Sequence, residues 1–307
     1  MDVIRKYYSA TMRKADDRVA DWFLMDSPLP TIAVVALYLV FVIQGQTWMR
    51  DRKAFDLKPL LVLYNFGLVL LSVYMVIELI LSSWTVPEFS LTCQAMDYSD
   101  NPYSVRLAKV CWWFYFSKIV ELMDTVFFVL RKKNNQISFL HVYHHTTMPL
   151  LWWVGVKFVP GGEAFFSSTI NSGIHVLMYL YYMLSAMGPA MQPYLWWKKY
   201  MTTLQLIQFW TVMFKTCYAI YVHCDFPVEY GYALVAYTMS HIVLFSNFYY
   251  HTYLLQARRK KDDGPNAGSS ITKEGNNSNS NKQANGVEAV RNGSAEKVQI
   301  RKQRRFD

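Results

Sequence analysis

Seven apolar stretches, each close to the length that crosses a bilayer, constrain this chain more than any other feature. They cover Leu29–Thr47, Pro59–Leu81, Leu107–Leu130, Ile137–Phe158, Ala164–Ala186, Met201–Val222 and Gly231–Leu255. An apolar run of about 17–25 residues matches a helix crossing hydrocarbon. In lipid only helices and closed barrels satisfy their own backbone groups. The expected fold class is therefore all-α, a polytopic membrane protein with seven transmembrane helices.

Composition agrees once the chain is divided. Mean hydropathy is only +0.08, and the formal net charge is +9 over 307 residues. Residues 257–307 hold 12 Lys/Arg against 6 Asp/Glu, so they carry +6 of that charge. Residues 1–256 hold 50 of the 51 aromatics. The last segment is too poor in apolar residues to fold and reads as a disordered tail. A nucleic-acid binder is not expected, because the excess charge lies on that tail. A charged fraction of 17%, against about a quarter in soluble domains, excludes an ordinary soluble domain. Four cysteines are too few for a disulfide-dense secreted scaffold.

Basic residues alternate by loop, which sets orientation. Arg50, Arg52, Lys53 and Lys58 follow the first stretch, Arg131, Lys132 and Lys133 the third, Lys198 and Lys199 the fifth, and Arg258–Lys261 the seventh. These loops and the C-terminus are expected on the cytosolic side, and the N-terminus on the other. Arg5, Lys6, Arg13, Lys14 and Arg18 oppose that assignment, with Asp2, Asp16, Asp17 and Asp21 as a partial offset. Cys93 and Cys224 fall in two non-cytosolic loops, where they either form a disulfide or remain two thiols. Cys111 and Cys217 read as packing residues. The sequons at Asn276 and Asn292 would be cytosolic and unmodified.

Ionisable residues inside spans are expensive and mark functional sites by default. The third stretch carries Lys118, Glu121 and Asp124 at i, i+3, i+6, on one face of a helix. They read either as a self-neutralising network between helices or as support for a catalytic pocket. The fourth carries His141, His144 and His145 on one face. Asn171, His175, Tyr179 and Tyr182 form a stripe on the fifth, and Gln205 and Gln208 lie at i, i+3 on the sixth. Imidazoles in this pattern suit metal ligation or acid–base and nucleophilic work. The chain has 7 histidines in all. His223 lies in a loop, and His241 and His251 form no second box. That supply falls short of the several clusters used by membrane di-iron enzymes, so no metal and no cofactor is expected. Lys215, within the sixth stretch, has no evident partner in sequence.

Four motifs, in order over residues 118–208, resemble the very-long-chain fatty acid elongases, the ELO condensing enzymes. They are Lys118-x-x-Glu121-x-x-Asp124-Thr125, His141-x-x-His144-His145, His175-x-x-Met178-Tyr179-x-Tyr181-Tyr182, and Thr202-x-x-Gln205-x-x-Gln208. Phe139–Phe158 and Asp26–Thr31 look most like the elongase 4 branch. Gln136 and Leu204–Gln208 resemble the subgroup that accepts polyunsaturated chains.

The resemblance implies a 3-oxoacyl-CoA synthase that condenses a long or very long acyl-CoA with malonyl-CoA, releasing CO2 and CoA. Six of the seven helices would form an inverted barrel around an acyl tunnel, and Cys93 and Cys224 would pair. His144 would be the nucleophile. His141, His145 and His175 would orient groups and move protons, with Asp124 and Glu121 holding imidazole tautomers. Lys118, Asn171, Tyr179, Tyr182, Gln205 and Gln208 would line the substrate. Arg131, Lys132, Lys198 and Lys199 would meet CoA phosphates.

Expected partners are acyl-CoA, malonyl-CoA and membrane lipid, with a homodimer or a complex with other elongases and the cycle's reductases and dehydratase. The expected location is the endoplasmic reticulum membrane. Many members of the family end in a dilysine retention signal; here Arg304 and Arg305 stand near the end, which puts dilysine retrieval in doubt and leaves an arginine-based signal as the alternative. The domain division is a 1–28 lumenal segment, a 29–256 catalytic membrane domain and a 257–307 tail. A seven-helix transporter or receptor, or an inactive lipid-binding paralogue, is the alternative.

Overall fold

The computed structural model describes residues 2–86 and 89–255. The tail, its two sequons and its arginine-containing end lie outside the described residues. Among the described residues the chain is helical and contains no strand. The helices are α1 (Asp2–Met12), α2 (Leu29–Trp48), α3 (Lys58–Thr85), α4 (Pro102–Val120), α5 (Met123–Leu130), α6 (Phe139–Phe158), α7 (Ala164–Ala186), α8 (Lys198–Tyr221) and α9 (Val228–Tyr249).

Local chemistry explains these boundaries. α2, α3 and α4 each place a proline in the first turn, where a missing N–H costs nothing. Asn101 opens α4 by accepting from the N–H groups of Tyr103 (3.0 Å) and Ser104 (2.9 Å). Ser138 opens α6 by accepting from the N–H of His141 (3.2 Å). α5 and α8 both end in a left-handed residue, Lys132 at φ 57° and His223 at φ 55°. At the end of α8 the N–H of His223 returns to the Ile220 carbonyl and that of Cys224 to Ala219. This satisfies the last carbonyls and turns the chain sharply.

The third apolar stretch is not one helix, contrary to expectation. α4 ends at Val120 and α5 starts at Met123. Between them the N–H groups of Leu122 and Asp124 bond only three residues back, to Ile119 (3.3 Å) and Glu121 (3.1 Å). This tightening is of the 3₁₀ type, and it falls within the charged motif. The sixth stretch begins earlier than expected, at Lys198, because a hydropathy window discounts the lysines of its first turn. The seventh begins at Val228, and after Tyr249 its ladder loosens into a π-helical turn over Tyr250–Leu254.

In the packing, α3 lies along α7, α7 meets α8, and α8 packs closely on α9. α4 sits between α3 and α6, α6 touches α9 lightly, and α2 rests on α5 and α6. Charged and polar groups are buried beside apolar ones, and large apolar side chains are left outside. Lys118, Glu121, Asp124, His145, His175 and His241 are buried. Leu37 and Ile43 of α2, Leu63 of α3, Phe214 of α8 and Val243 of α9 are more than 60% exposed. That distribution suits lipid outside and a polar interior. α2 and α3 are long and apolar enough, by composition, to cross a membrane.

Residues 16–25 pack over one end of the helices. Val19 and Met25 join Cys111, Tyr115, Trp153 and Val156 in one core cluster. The indole N–H groups of Trp112 and Trp153 donate to the carbonyls of Phe23 (3.0 Å) and Leu24 (2.8 Å). Arg18, one of the basics at odds with the orientation, is locked in a buried pair with Asp16 (2.6 Å) and donates to the Ser99 carbonyl. Cys93 and Cys224 form a disulfide. Cys111 is buried as a packing residue, but Cys217 is exposed on the outer surface, which corrects its expected packing role. Lys215 has a partner that the sequence did not reveal, an ion pair with Glu163. Glu163 also accepts from the Gln94 N–H at 2.8 Å, so it ties the start of α7 to α8 and to the Cys93 loop.

Candidate functional site

The break between α4 and α5 sets three charged groups against one face of α7. Lys118 Nζ lies 2.8 Å from Glu121 Oε1, 3.4 Å from Asn171 Oδ1 and 3.3 Å from His175 Nδ1. Glu121 Oε1 lies 3.2 Å from His175 Nδ1 and accepts from Ser117 Oγ at 3.3 Å. Below them the Tyr179 hydroxyl donates to Asp124 Oδ2 at 3.0 Å. The two helical segments are thus matched step for step, 118 with 171, 121 with 175 and 124 with 179. The expectation for the carboxylates divides here. Glu121 does hold an imidazole, that of His175. Among the described residues Asp124 contacts no imidazole; its carboxylate is met by the hydroxyls of Tyr179 and Tyr64.

The histidines of α6 each have a different environment. His141 Nε2 is 2.7 Å from Thr125 Oγ1, which is 3.1 Å from the Tyr38 hydroxyl. His145 is buried, with its ring 4.2 Å from that of His141. His144 is partly accessible. Its Nδ1 lies 3.2 Å from His241 Nε2 on α9, and no protein partner reaches its Nε2 among the described residues. Pro149, inside α6, has no N–H to offer the carbonyl of His145 four residues earlier, which loosens the helix just past the box.

The remaining expected residues separate into two groups. Gln205 Nε2 lies 3.8 Å from Met178 Sδ, and Gln208 is buried with its Oε1 unpartnered. Tyr182 stacks edge-on to Tyr179 and Tyr181. Asn171, His175 and Tyr179 thus face the α4–α5 charges, Gln205 reaches Met178 of α7, and Gln208 is buried on α8. The basic residues are apart from them. Lys198 and Lys199 are exposed, with Lys199 5.8 Å above the Tyr249 ring. Lys132 donates to the carbonyls of Arg50 and Arg52, both at 2.8 Å, and so straps the end of α5 to the segment after α2. Arg131 is half-buried beside it.

A polar seam joins α6 and α9, and sequence reasoning missed it. The Tyr143 hydroxyl lies 2.9 Å from Ser240 Oγ, His144 meets His241, and Thr147 Oγ1 lies 2.8 Å from the Tyr237 hydroxyl. The i, i+3, i+4 pattern Tyr237, Ser240, His241 was the available signal, and it matches Tyr143, His144 and Thr147 on the facing helix. Beyond Tyr237 a cavity of about 700 Å³ is lined by Leu151, Trp152, Val154, Ala219, Ile220 and Leu234 among others. Tyr237 is one of its lining residues, and its ring is 4.3 Å from the His241 ring. Among the described residues no cluster of three or more His, Cys, Asp or Glu is arranged to hold a metal ion.

Known proteins share this chain's sequence over most of its length. Very long chain fatty acid elongase 4 of Homo sapiens is 52% identical over 248 residues, which is 81% of this chain and 79% of that protein. Elongase 2 of Rattus norvegicus is 48% identical over 246 residues, 80% of this chain and 87% of that protein. Elongase 7 of Rattus norvegicus is 45% identical over 260 residues, 83% and 92% respectively. The ELO: GNS1/SUR4 family matches residues 23–261, from before α2 to beyond the end of α9. A match of that extent, with the His141–His145 box in the interior, means that this chain belongs to the ELO (GNS1/SUR4) family.

Proposed function

We propose that this protein is a membrane 3-oxoacyl-CoA synthase, the condensing enzyme of very-long-chain fatty acid elongation. The relatives' printed names support elongation of very long chain fatty acids. The observation that carries the chemistry is His144, a partly accessible imidazole with Nδ1 occupied and Nε2 without a protein partner.

His144 Nε2 attacks the thioester carbonyl of a fatty acyl-CoA. An N–C bond forms, the C–S bond breaks and CoA leaves with the electron pair as thiolate. The acyl-imidazole is an activated acyl donor. Malonyl-CoA then loses CO2, and the carbanion attacks the acyl carbon. A C–C bond forms as the C–N bond breaks and its electrons return to Nε2. The product is a 3-oxoacyl-CoA two carbons longer, and the CoA thiolate takes up a proton. His175, fixed by Lys118 and Glu121, polarises the malonyl thioester at the enolate stage. His141 and His145 order the same pocket, and the unpartnered Gln208 Oε1 is an acceptor for a substrate donor. No metal enters the cycle.

The acyl tail extends along the apolar cavity beyond Tyr237, where burial is worth about 0.8 kcal/mol per CH2. The order of neighbours α3, α4, α6, α9, α8, α7 and back to α3, with α2 outside, supports an inverted barrel of six helices. Seven membrane crossings put Arg131, Lys132, Lys198 and Lys199 on the cytosolic side, near the CoA phosphates. Lys132 serves there chiefly as a strap. The N-terminal segment and the disulfide then face the lumen of the endoplasmic reticulum, with the tail cytosolic. Polyunsaturated chains are the proposed preference, and a homodimer or complex with other elongation enzymes is the proposed assembly.

The test is expression of the parent and His144→Ala proteins in a host lacking its own elongases, fed acids of graded length and unsaturation. The parent should extend them by two carbons and the variant should not, although both insert and form the disulfide. Extension by His144→Ala at the parent rate would refute the assignment.

A further inference from the structure

His241 lies outside every motif of the box and lines no expected substrate contact, yet it is the only side chain bonded to the His144 imidazole among the described residues. Its own bonds fix which nitrogen carries the proton. Nδ1 of His241 lies 3.0 Å from the Tyr237 carbonyl, a group that can only accept. Nδ1 must therefore carry the hydrogen and donate it. The Ser240 hydroxyl donates to the same carbonyl at 2.7 Å, which holds that oxygen in place. A neutral His241 then presents a lone pair at Nε2. No carboxylate contacts His241 among the described residues, so its burial at 1% exposure favours the neutral ring. Across the 3.2 Å gap, His144 Nδ1 must be the donor. The remaining nitrogen of His144, Nε2, is left bare.

We propose that His241 is a positioning residue for the reaction above, setting the His144 tautomer through a relay from the Tyr237 carbonyl. This rests on His144 as the nucleophile. Three consequences follow from the relay. The unprotonated nitrogen of His144 is always Nε2. The ring cannot rotate about its Cβ–Cγ bond without losing the bond to His241. When Nε2 attacks the thioester, the imidazole gains positive charge, and the lone pair of His241 stabilises the charged N–H on Nδ1. The four aromatic rings of Phe209, Tyr143, Tyr237 and Phe245 within 6.4 Å of His241 hold that acceptor in a dry wall. A hydrogen bond there is stronger than in water.

The test measures CoA release in a single turnover with acyl-CoA alone, on full-length protein in detergent. His241→Phe keeps a ring in the aromatic wall but removes the acceptor. His241→Asn retains a group near Nδ1 and does not reach His144. His241→Gln places its side-chain carbonyl where Nε2 stands. Acylation should fall about 10- to 100-fold in the Phe and Asn variants, the worth of one hydrogen bond to a group that gains charge. KM for acyl-CoA should be unchanged, and Gln should recover most of the rate. If the Phe variant fails to form the Cys93–Cys224 disulfide, the comparison of Asn with Gln decides. Parent-rate acylation by Asn, or Gln no faster than Asn, overturns the proposal. His144→Ala measured alongside separates the two readings: if it still releases CoA, the nucleophile is wrong, whereas an inactive His144→Ala beside an unimpaired His241→Asn sinks only the relay.

Discussion

Asp124 and Tyr179 meet in the interior, the tyrosine hydroxyl donating to the carboxylate at 3.0 Å with both residues buried, and the Tyr64 hydroxyl is a second neighbour of the same carboxylate. Removal of the Tyr179 hydroxyl takes one of its donors from a buried carboxylate. Tyr179→Phe is therefore expected to lower stability by about 1–3 kcal/mol, read as a drop in the thermal midpoint of the purified protein. The double variant Tyr179→Phe/Asp124→Leu should recover part of that loss, because no buried carboxylate is then left behind.

Lys118 and Glu121 present the charged version of the same problem. Lys118→Met should destabilise by about 3–5 kcal/mol, since it strands a buried carboxylate. Adding Glu121→Gln should restore much of the stability. Turnover should stay low in the double variant, because His175 Nδ1 loses its charged neighbours. Stability and turnover measured on the same preparations check this, and parallel recovery of both would count against a role for His175.

The Cys93–Cys224 bond joins residues 131 apart in sequence. Closing a loop of that length is worth about 5 kcal/mol in the chain-entropy account. Cys93→Ser should lose the mobility difference between reducing and non-reducing gels and shorten the half-life of activity at elevated temperature. An unaltered half-life would mean that the loops are held by other contacts.

Gly162 sits at φ 51°, and a Cβ there would lie 3.1 Å from the Phe226 ring and 3.2 Å from the carbonyls of Gln94 and Ala95. Gly162→Ala therefore meets both a strained backbone and a crowded junction beside the disulfide. The expected cost is about 1–3 kcal/mol, with a reduced yield of the oxidised form. Measuring the oxidised fraction on a non-reducing gel tests this directly.

Much of the interior was legible in the sequence because its signals are local. The spacing of Asn171, His175 and Tyr179 needs only a helix to place them on one face, and they lie there. The box histidines share α6 for the same reason. What remained hidden depended on tertiary contacts. The stop at Glu121 is invisible to periodicity, since no proline or glycine marks it. Lys215 and Glu163 lie on different helices, so nothing in the spacing announced their pair. His241 was set aside for want of a second box, although its neighbours Tyr237 and Ser240 carried the pattern. Lys132 read as an orienting basic residue and a contact for CoA phosphates, whereas two carbonyls claim its ammonium group.

The left-handed turn at His223 does more than end a helix. It delivers Cys224 to the disulfide immediately after α8, so that rod is pinned at one end. α8 has 24 residues, a length of about 36 Å at 1.5 Å per residue. A stiff rod fastened at its foot has its height set at its head. The heights of Gln205 and Gln208 along that rod are thus gauged from its far end, by a covalent stop.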